Sequence, residues 1–105
     1  MGGRGSKIAL AESAPTEDDE ILDHFETEVA GRFGTSSEVF RYSSPSARSI
    51  RITSIMAYDH WGHGRADVVG GGVGQKNVDV KLESPYLYGY KFSVIVTGRE
   101  VNPSV

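Results

Sequence analysis

The segment at residues 59–64 holds the side chains best suited to chemistry, since it contains two histidines, a tryptophan and an aspartate. Together with Asp67, the nitrogens of His60 and His63 could supply ligands for zinc or copper. Two histidines three residues apart in a glycine-rich segment nevertheless lack the fixed geometry that a helix or strand gives to a metal site. We therefore expect an exposed loop with Trp61 on the edge of a sheet, and no bound metal.

Asp59 has a simpler explanation as the first residue of this loop. Aspartate is common in turns because its carboxylate accepts hydrogen bonds from backbone N–H groups a few residues further along. We expect Asp59 to stabilise the turn in this way rather than to bind a ligand.

A second motif, the glycine cluster at residues 70–76, superficially resembles a phosphate-binding loop. In a Walker-type loop the lysine is followed by serine or threonine, and the loop leads into a helix. Here Lys76 is followed by Asn77, and no helical pattern comes next. A β-turn explains the cluster better, with at least one glycine at a positive φ angle. The structural glycines expected in this turn and in a later one are Gly70, Gly71, Gly72, Gly74 and Gly89.

Catalytic signatures are missing from the sequence. The chain has no cysteine, which excludes disulfides, thiolate nucleophiles and cysteine-based zinc sites. It also has no Gly-x-Ser-x-Gly elbow and no paired acid and base. We therefore expect a protein that is not an enzyme and that uses no cofactor.

Alternation of apolar and polar residues with a period of two predicts β-strands through most of the chain. The longest β-branched run, residues 50–58, loses its phase at Ser54 and Ile55, which indicates a bulge or burial on both faces. We predict that it is a central strand. A short apolar patch at residues 7–11 is typical of an edge strand. Further strands are predicted at residues 38–42, 65–69, 78–82 and 90–96.

Turn residues between these runs suggest how the strands pair. We expect residues 65–69 to return beside residues 50–58 after the loop, and the two strands on either side of residues 84–89 to close a hairpin. The chain has 13 glycines and ten aromatic residues, a composition that suits a turn-rich β domain. The fold class we predict is mainly β, a small antiparallel β-sandwich or jelly-roll-like domain with glycine-rich turns.

The acidic segment at residues 17–28 holds seven of the fourteen acidic residues and no lysine or arginine. Thr16 followed by three acids is typical of a helix start, and the apolar residues that follow share one helical face. A short helix within residues 17–30 is therefore the favoured interpretation, with a strand as the alternative. The apolar residues of this segment form a stripe that has two possible roles. If the stripe docks on the sheet, it is a structural cover. If the segment stays mobile, Leu22 and Phe25 are candidate contacts for a basic partner. The stripe comprises Ile21, Leu22, Phe25 and Val29.

Three tyrosines follow one another at a spacing of two near the C-terminus. Tyr90 shares the alternation of Phe92 and is assigned to the core. Tyr86 and Tyr88 fall in the preceding turn, where they are candidate contacts for a protein partner. Trp61 is a further candidate of the same kind.

The order of the motifs along the chain is also informative. It runs through a strand, Asp59, a loop, a second strand, the glycine cluster and two further strands. The residues that define this order are Ile52, Thr53, Ser54, Ile55, Asp59, the run Gly70-Gly71-Gly72-Val73-Gly74-Gln75, Val78, Leu82, Ser84, Gly89, Tyr90 and Phe92. In this order the stretch resembles the insect multiprotein bridging factor 2 family, over roughly the C-terminal half of the chain.

The resemblance implies a transcriptional coactivator that bridges DNA-bound regulators and general transcription factors through protein contacts. It also implies a different role, because many members of that family are secreted salivary or pathogen-response proteins. The alternative is therefore a secreted insect defence, salivary or structural protein. A small-molecule carrier with its ligand inside the sandwich is a more distant alternative.

The charge distribution agrees with protein partners. The net charge is -3, with eight acids against two bases in residues 1–31 and six acids against nine bases in residues 32–105. No basic run interleaves with aromatic residues, so we expect no direct contact with nucleic acid. No apolar run approaches the roughly 18 residues that span a bilayer. A homo-oligomer is compatible with the sequence.

We expect a single β domain at residues 7–105, since a chain of 105 residues is close to the commonest domain size. Residues 1–6 are predicted to be a flexible glycine-rich leader, for which a cloning origin is one explanation. In that case a signal peptide would precede Lys7 in the native precursor. An extracellular location is the first expectation, and a nuclear location is the alternative.

Overall fold

The computed structural model describes residues 7–13, 19–31, 33–45 and 49–100. The leader at residues 1–6 lies outside this range. The described residues form seven β-strands; they include no helix, and hence none that is long and apolar enough to cross a membrane. The strands are β1 (Lys7–Ser13), β2 (Glu20–Val29), β3 (Ser36–Ser43), β4 (Ile50–Asp59), β5 (Arg65–Gly71), β6 (Asn77–Ser84) and β7 (Tyr90–Glu100).

The strands form two antiparallel sheets. One sheet has four strands in the order β1-β4-β7-β2, and the other has three in the order β3-β6-β5. Within the described residues, only β5 and β6 are both consecutive and paired, so most connections carry the chain from one sheet to the other. The predicted mainly β fold class is confirmed.

The core lies between the two sheets, where alternate residues of the facing strands point inward. Val78, Val80 and Leu82 of β6 are fully buried, as are Val94 and Val96 of β7. Burying a side chain of this kind contributes about 1.5–3 kcal/mol. These two strands therefore supply a large share of the stability from opposite sides of the core.

β4 is a central strand of the larger sheet, with β1 on one side and β7 on the other. Its register against β7 shifts between Ile52 and Ser54. The extra residue changes which face the later side chains occupy, so Ile52 and Ile55 are both buried. Of the two explanations for the lost phase, a bulge or burial on both faces, the structure shows the bulge. The central position of β4 and the edge position of β1 are confirmed.

Two predicted strand pairings are wrong. β5 pairs with β6 and not with β4, and β7 pairs with β4 and β2 and not with β6. A period of two identifies the buried face of a strand but not the strand that lies beside it. In both cases the connecting residues, 60–64 and 85–89, carry the chain across the core, so that consecutive strands face each other from opposite sheets.

The helix predicted within residues 17–30 is wrong, since β2 occupies most of this segment as an edge strand of the larger sheet. Its register against β7 shifts between Ile21 and Asp23. Leu22 packs against the core while Ile21 is exposed, and this break in alternation imitates one face of a helix. Pairing with β7 satisfies the backbone hydrogen bonds that a helix would satisfy internally. Thr16, at the predicted helix start, lies outside the described residues.

The glycine cluster forms the turn between β5 and β6. Gly71, Gly72 and Gly74 have φ angles of 65°, 126° and 89°, where a Cβ atom is strained. The turn also reaches the other sheet, because Gly74 donates its N–H to the carbonyl of Ile52 at 2.7 Å and Ile52 donates to the carbonyl of Gln75 at 2.9 Å. We call this turn, together with Ile52, the glycine end of the sandwich.

One carboxylate enters the sandwich from β3. Oε2 of Glu38 accepts hydrogen bonds from the hydroxyls of Thr27 on β2 and Tyr90 on β7, both at 2.7 Å. These bonds satisfy a half-buried acid that would otherwise be costly to place beside the core. Tyr90 itself is buried, as predicted.

Candidate functional site

The opposite end of the sandwich is built on two tight connections, of which the first begins at Asp59. The side chain of Asp59 is fully buried. Its Oδ1 accepts the N–H groups of Trp61 at 3.1 Å and Gly62 at 2.8 Å, and its Oδ2 accepts that of Gly64 at 2.9 Å. This is the backbone bonding predicted for Asp59. The bonds fix the turn, and with it the direction in which Trp61 projects.

The second connection, residues 85–89, passes close to the end of β2. A Cβ atom on Gly89 would lie 1.9 Å from the carbonyl oxygen of Val29, and one on Gly31 would lie 2.4 Å from that of Leu87. Only glycine permits this approach. Leu87 has a φ angle of 74°, a conformation that residues other than glycine rarely adopt. Backbone strain of this kind occurs most often at functional sites.

Between the two connections lies an open cleft of about 440 Å³. The ring of His63 stacks on that of Tyr88, with centroids 4.1 Å apart and an angle of 21° between the planes. Exposed aromatic rings pack well against other rings and apolar groups, and we call the space the aromatic cleft. Its lining consists of Gly31, His60, Trp61, His63, Leu87, Tyr88 and Gly89.

Large apolar side chains around this cleft are exposed. The exposed fractions are 37% for Trp61, 47% for Tyr88 and 56% for Tyr86. Phe33 and Leu87 are exposed as well, and the ring of Phe33 lies 6.5 Å from that of Tyr86. The sequence identified the first three but not the last two, because isolated apolar residues are typical of a core. We call these five residues, with the cleft, the aromatic end of the sandwich.

The two histidines of the first connection have partners within the protein. Nε2 of His60 lies 2.8 Å from the hydroxyl of Ser93, and His63 stacks on Tyr88. In the part of the chain that the structure describes, no group of three or more histidines, cysteines, aspartates or glutamates is positioned to hold a metal ion. In this arrangement the imidazoles contribute ring faces and hydrogen bonds.

The contact between His60 and Ser93 joins a base and a hydroxyl that are 33 residues apart in the chain. Catalysis by such a pair also needs N–H donors that face the reacting oxygen. Ser93 lies within β7, which is paired on one side with β4 and on the other with β2. Because the backbone around Ser93 is engaged in the sheet, the geometry favours a structural hydrogen bond over a catalytic pair.

A second cleft, of about 550 Å³, adjoins the aromatic cleft, and His63 lines both. Arg65, Lys81 and Glu83 also line this second space, which we call the polar cleft. Glu83 lies 3.9 Å from Nε of Arg65 and 3.8 Å from Nζ of Lys81. One carboxylate thus faces two cations within the cleft.

Leu22 and Phe25, the other candidate contacts from the sequence, lie on β2 and pack against the core. The ring of Phe25 stacks on that of Phe40 in β3, with centroids 4.9 Å apart. Of the two alternatives for this segment, the structure supports the docked one. It therefore separates these two residues from the exposed rings of the aromatic end.

A family model matches most of the chain. It is described as transcription activator MBF2, and the match covers residues 14–98. This range includes β2 to β6 and most of β7. No curated protein and no solved structure matches the chain.

Proposed function

The chain belongs to the transcription activator MBF2 family, and on this basis we propose that it is a transcriptional coactivator whose aromatic end binds a protein partner. The family description suggests a regulator that is not an enzyme. We choose the aromatic end as the binding surface because exposed rings project there from two connections whose backbone is fixed.

Exposed tyrosine and tryptophan rings suit a protein interface. Each ring buries a large area with few rotatable bonds and keeps a polar atom for a hydrogen bond. Trp61 projects from a turn held by the buried carboxylate of Asp59, and Tyr88 is stacked on His63. A partner would therefore meet a turn whose backbone is already ordered and a Tyr88 ring that is already packed, which lowers the entropy lost on binding.

The pattern of charges supports protein rather than nucleic acid as the partner. On the smaller sheet, Arg41 lies 3.7 Å from Asp79 and Arg65 lies 3.1 Å from Asp67. Acids that interleave with bases interrupt the continuous positive stripe that follows a phosphate backbone. The proposal therefore includes no direct contact with nucleic acid.

The family description also bears on location. A transcription activator acts on genes, so membership of the family favours the nucleus, which is the alternative of the two compartments expected from the sequence. The extracellular location, the first expectation, has no support from the match.

A tethering experiment tests the proposal. The chain is fused to a heterologous DNA-binding domain, and transcription from a reporter with the matching site is compared with that produced by the DNA-binding domain alone. We expect activation by the fusion. Changing Trp61 and Tyr88 together to alanine should abolish it, because loss of two aromatic contacts at the centre of an interface weakens binding by about tenfold or more.

The matched control changes two exposed valines of the smaller sheet, Val39→Ala and Val69→Ala. These substitutions remove apolar surface outside the aromatic end, so activation should persist. Thermal unfolding of both double variants separates lost contacts from lost folding. A wild-type fusion that fails to activate, or a control that loses activation as fully as the Trp61 and Tyr88 variant, would contradict the proposal.

A further inference from the structure

The two clefts that meet at His63 indicate the chemistry of the partner. We infer that the partner presents a proline-rich, extended segment with an acidic residue beside it, and that this segment lies across the aromatic and polar clefts. The inference rests on the proposed function, since it takes the aromatic end as the protein-binding surface.

The aromatic cleft is suited to an uncharged ligand. Among the described residues, its lining contains ring side chains, Leu87 and glycine backbone, and no lysine, arginine, aspartate or glutamate. Gly31 and Gly89 line the cleft with backbone alone. A charged group placed in this cleft would lose hydration without gaining a partner of opposite charge.

A proline-rich segment meets these requirements best. Proline rings are compact and apolar, and proline-rich segments dock in aromatic-lined grooves. Their polyproline II backbone makes no internal hydrogen bonds, so its carbonyls can accept from the indole N–H of Trp61 and the hydroxyl of Tyr88. The segment is extended before it binds, which lowers the entropy lost on docking.

A sugar would also stack on these rings, but its chemistry fits less well. Its many hydroxyl groups need several donors and acceptors. The aromatic cleft offers ring nitrogens, the hydroxyl of Tyr88 and backbone groups, and its described lining has no carboxylate or carboxamide side chain. A polypeptide is therefore the favoured ligand class.

The polar cleft adds a charge preference at one end of the segment. Arg65 and Lys81 line it with one carboxylate, Glu83, whereas Asp67 contacts Arg65 from outside the lining. The side chain of Arg65 is 72% exposed and that of Glu83 is 34% exposed. Lys81 is 45% exposed, so both cations of the lining are more accessible than Glu83, and they favour an acidic residue on the partner. Asp67, which is 47% exposed, offsets part of the charge of Arg65, so we expect the preference to be only a few-fold. His63 lines both clefts, so the segment can pass from one to the other.

Trp61 supplies a direct readout, because it is the only tryptophan of the chain and it lines the aromatic cleft. Its fluorescence is titrated with three synthetic peptides that contain no aromatic residue. They are a proline-rich peptide with an acidic flank, the same peptide with a lysine flank, and a version with alanine in place of proline. We expect saturable shifts with the first, affinity about threefold weaker with the second, and no saturation with the third.

Two pairs of variants locate the binding. Tyr88→Ala should weaken the acidic-flank peptide by about tenfold, whereas Met56→Ala, on an exposed residue outside both clefts, should not change its affinity. Arg65→Ser should remove the preference for the acidic flank. Arg41→Ser should keep it, since that side chain is 73% exposed but lies outside the polar cleft.

The outcomes separate this inference from the proposed function. If proline-rich peptides do not shift the Trp61 signal while tethered activation still depends on Trp61 and Tyr88, the inference is overturned and the coactivator role stands. Saturation by an oligosaccharide in place of the peptides overturns it as well. If the peptides bind as expected but the wild-type fusion does not activate transcription, the proposed function fails and the ligand chemistry stands.

Discussion

The glycine end and the aromatic end of the sandwich both depend on glycine, but they use it in different ways. At the glycine end, positive φ angles at Gly71 and Gly74 shape a turn whose backbone bonds to Ile52 in the other sheet. At the aromatic end, Gly31 and Gly89 let two stretches of backbone pass at close range, while the rings beside them project outward. The first end closes the sandwich, and the second presents side chains.

This difference teaches that a glycine-rich motif does not by itself mark a binding site. In the glycine end, the N–H of Gly74 and the N–H and carbonyl of Ile52 all bond to the protein's own backbone. In the aromatic end, the backbone is held by Asp59 while Trp61 and its neighbours stay exposed. Fixed backbone with exposed side chains is the arrangement that recognition requires.

The largest effect on stability should come from a side chain at Gly71. A Cβ atom there would lie 2.0 Å from the carbonyl oxygen of Asn77. The left-handed conformation alone costs about 1–2 kcal/mol for a residue with a Cβ atom, and the backbone contact adds to this. We expect Gly71→Val to lower the free energy of unfolding by about 3 kcal/mol or more, as measured by urea denaturation.

Gly74→Ala is the matched control for this variant. Its φ angle of 89° is also positive, but a Cβ atom there would have no neighbour within 4 Å. We expect a loss of only about 1 kcal/mol. Equal losses at Gly71 and Gly74 would show that crowding against Asn77 plays no part, and would weaken the distinction between the two ends.

The next effect should come from Asp59, which supports the aromatic end. Asp59→Asn keeps one acceptor oxygen but places an NH₂ group near a buried backbone N–H. We expect a loss of about 2–3 kcal/mol in the free energy of unfolding. Asp67→Asn is the control. It removes the exposed ion pair with Arg65, which is worth less than about 1 kcal/mol. If both variants unfold at the same denaturant concentration, Asp59 does not hold the turn.

A smaller effect should come from Phe25, which belongs to neither end. Phe25 is half-buried against Phe40, so Phe25→Ala should lose about 2 kcal/mol, below the 3–5 kcal/mol typical of a fully buried ring. Ile21→Ala on the same strand removes a side chain that is 67% exposed and should stay within about 0.5 kcal/mol. Thermal unfolding compares the two. If the Phe25→Ala variant has normal stability but cannot activate the tethered reporter, the partner contacts β2 and not the aromatic end.

The features that depend on a few neighbouring residues were predictable from the sequence. Alternation located strands β3 to β7, and the same alternation assigned Tyr90 to the core. The lost phase at Ser54 marked an irregularity in β4, with a bulge as one of two explanations. The bonding of Asp59 follows from the ordinary chemistry of aspartate in turns. Each of these inferences needed only the local pattern.

Strand pairing was not predictable, because it depends on contacts between distant segments. The bulge at Ile21 gives the sequence of β2 the apolar spacing of a helical face. The segment forms a strand because it pairs with β7, some seventy residues later. In the same way, the connections after β4 and β6 contain turn residues, which indicate a change of direction but not a change of sheet.

The candidate site was predictable in part. Aromatic type and turn context identified Trp61, Tyr86 and Tyr88, whose exposure the structure describes. The cleft itself depends on the approach of Gly31 to Gly89, and no local pattern links these two positions. The only available signal was the presence of a glycine near apolar residues after β2 and before β7, which is too common to be specific.

The hydrogen bonds between Ile52 and the glycine turn also have a kinetic consequence. The amide protons of Ile52 and Gly74 lie in bonds that join the glycine turn to the other sheet, so neither can exchange with solvent until the turn moves away from β4. We expect the amide of Ile52, which is buried, to exchange more slowly than that of Gly74, which lies in an exposed part of the turn. The difference between the two amides would measure how firmly the glycine turn holds the two sheets together at this end.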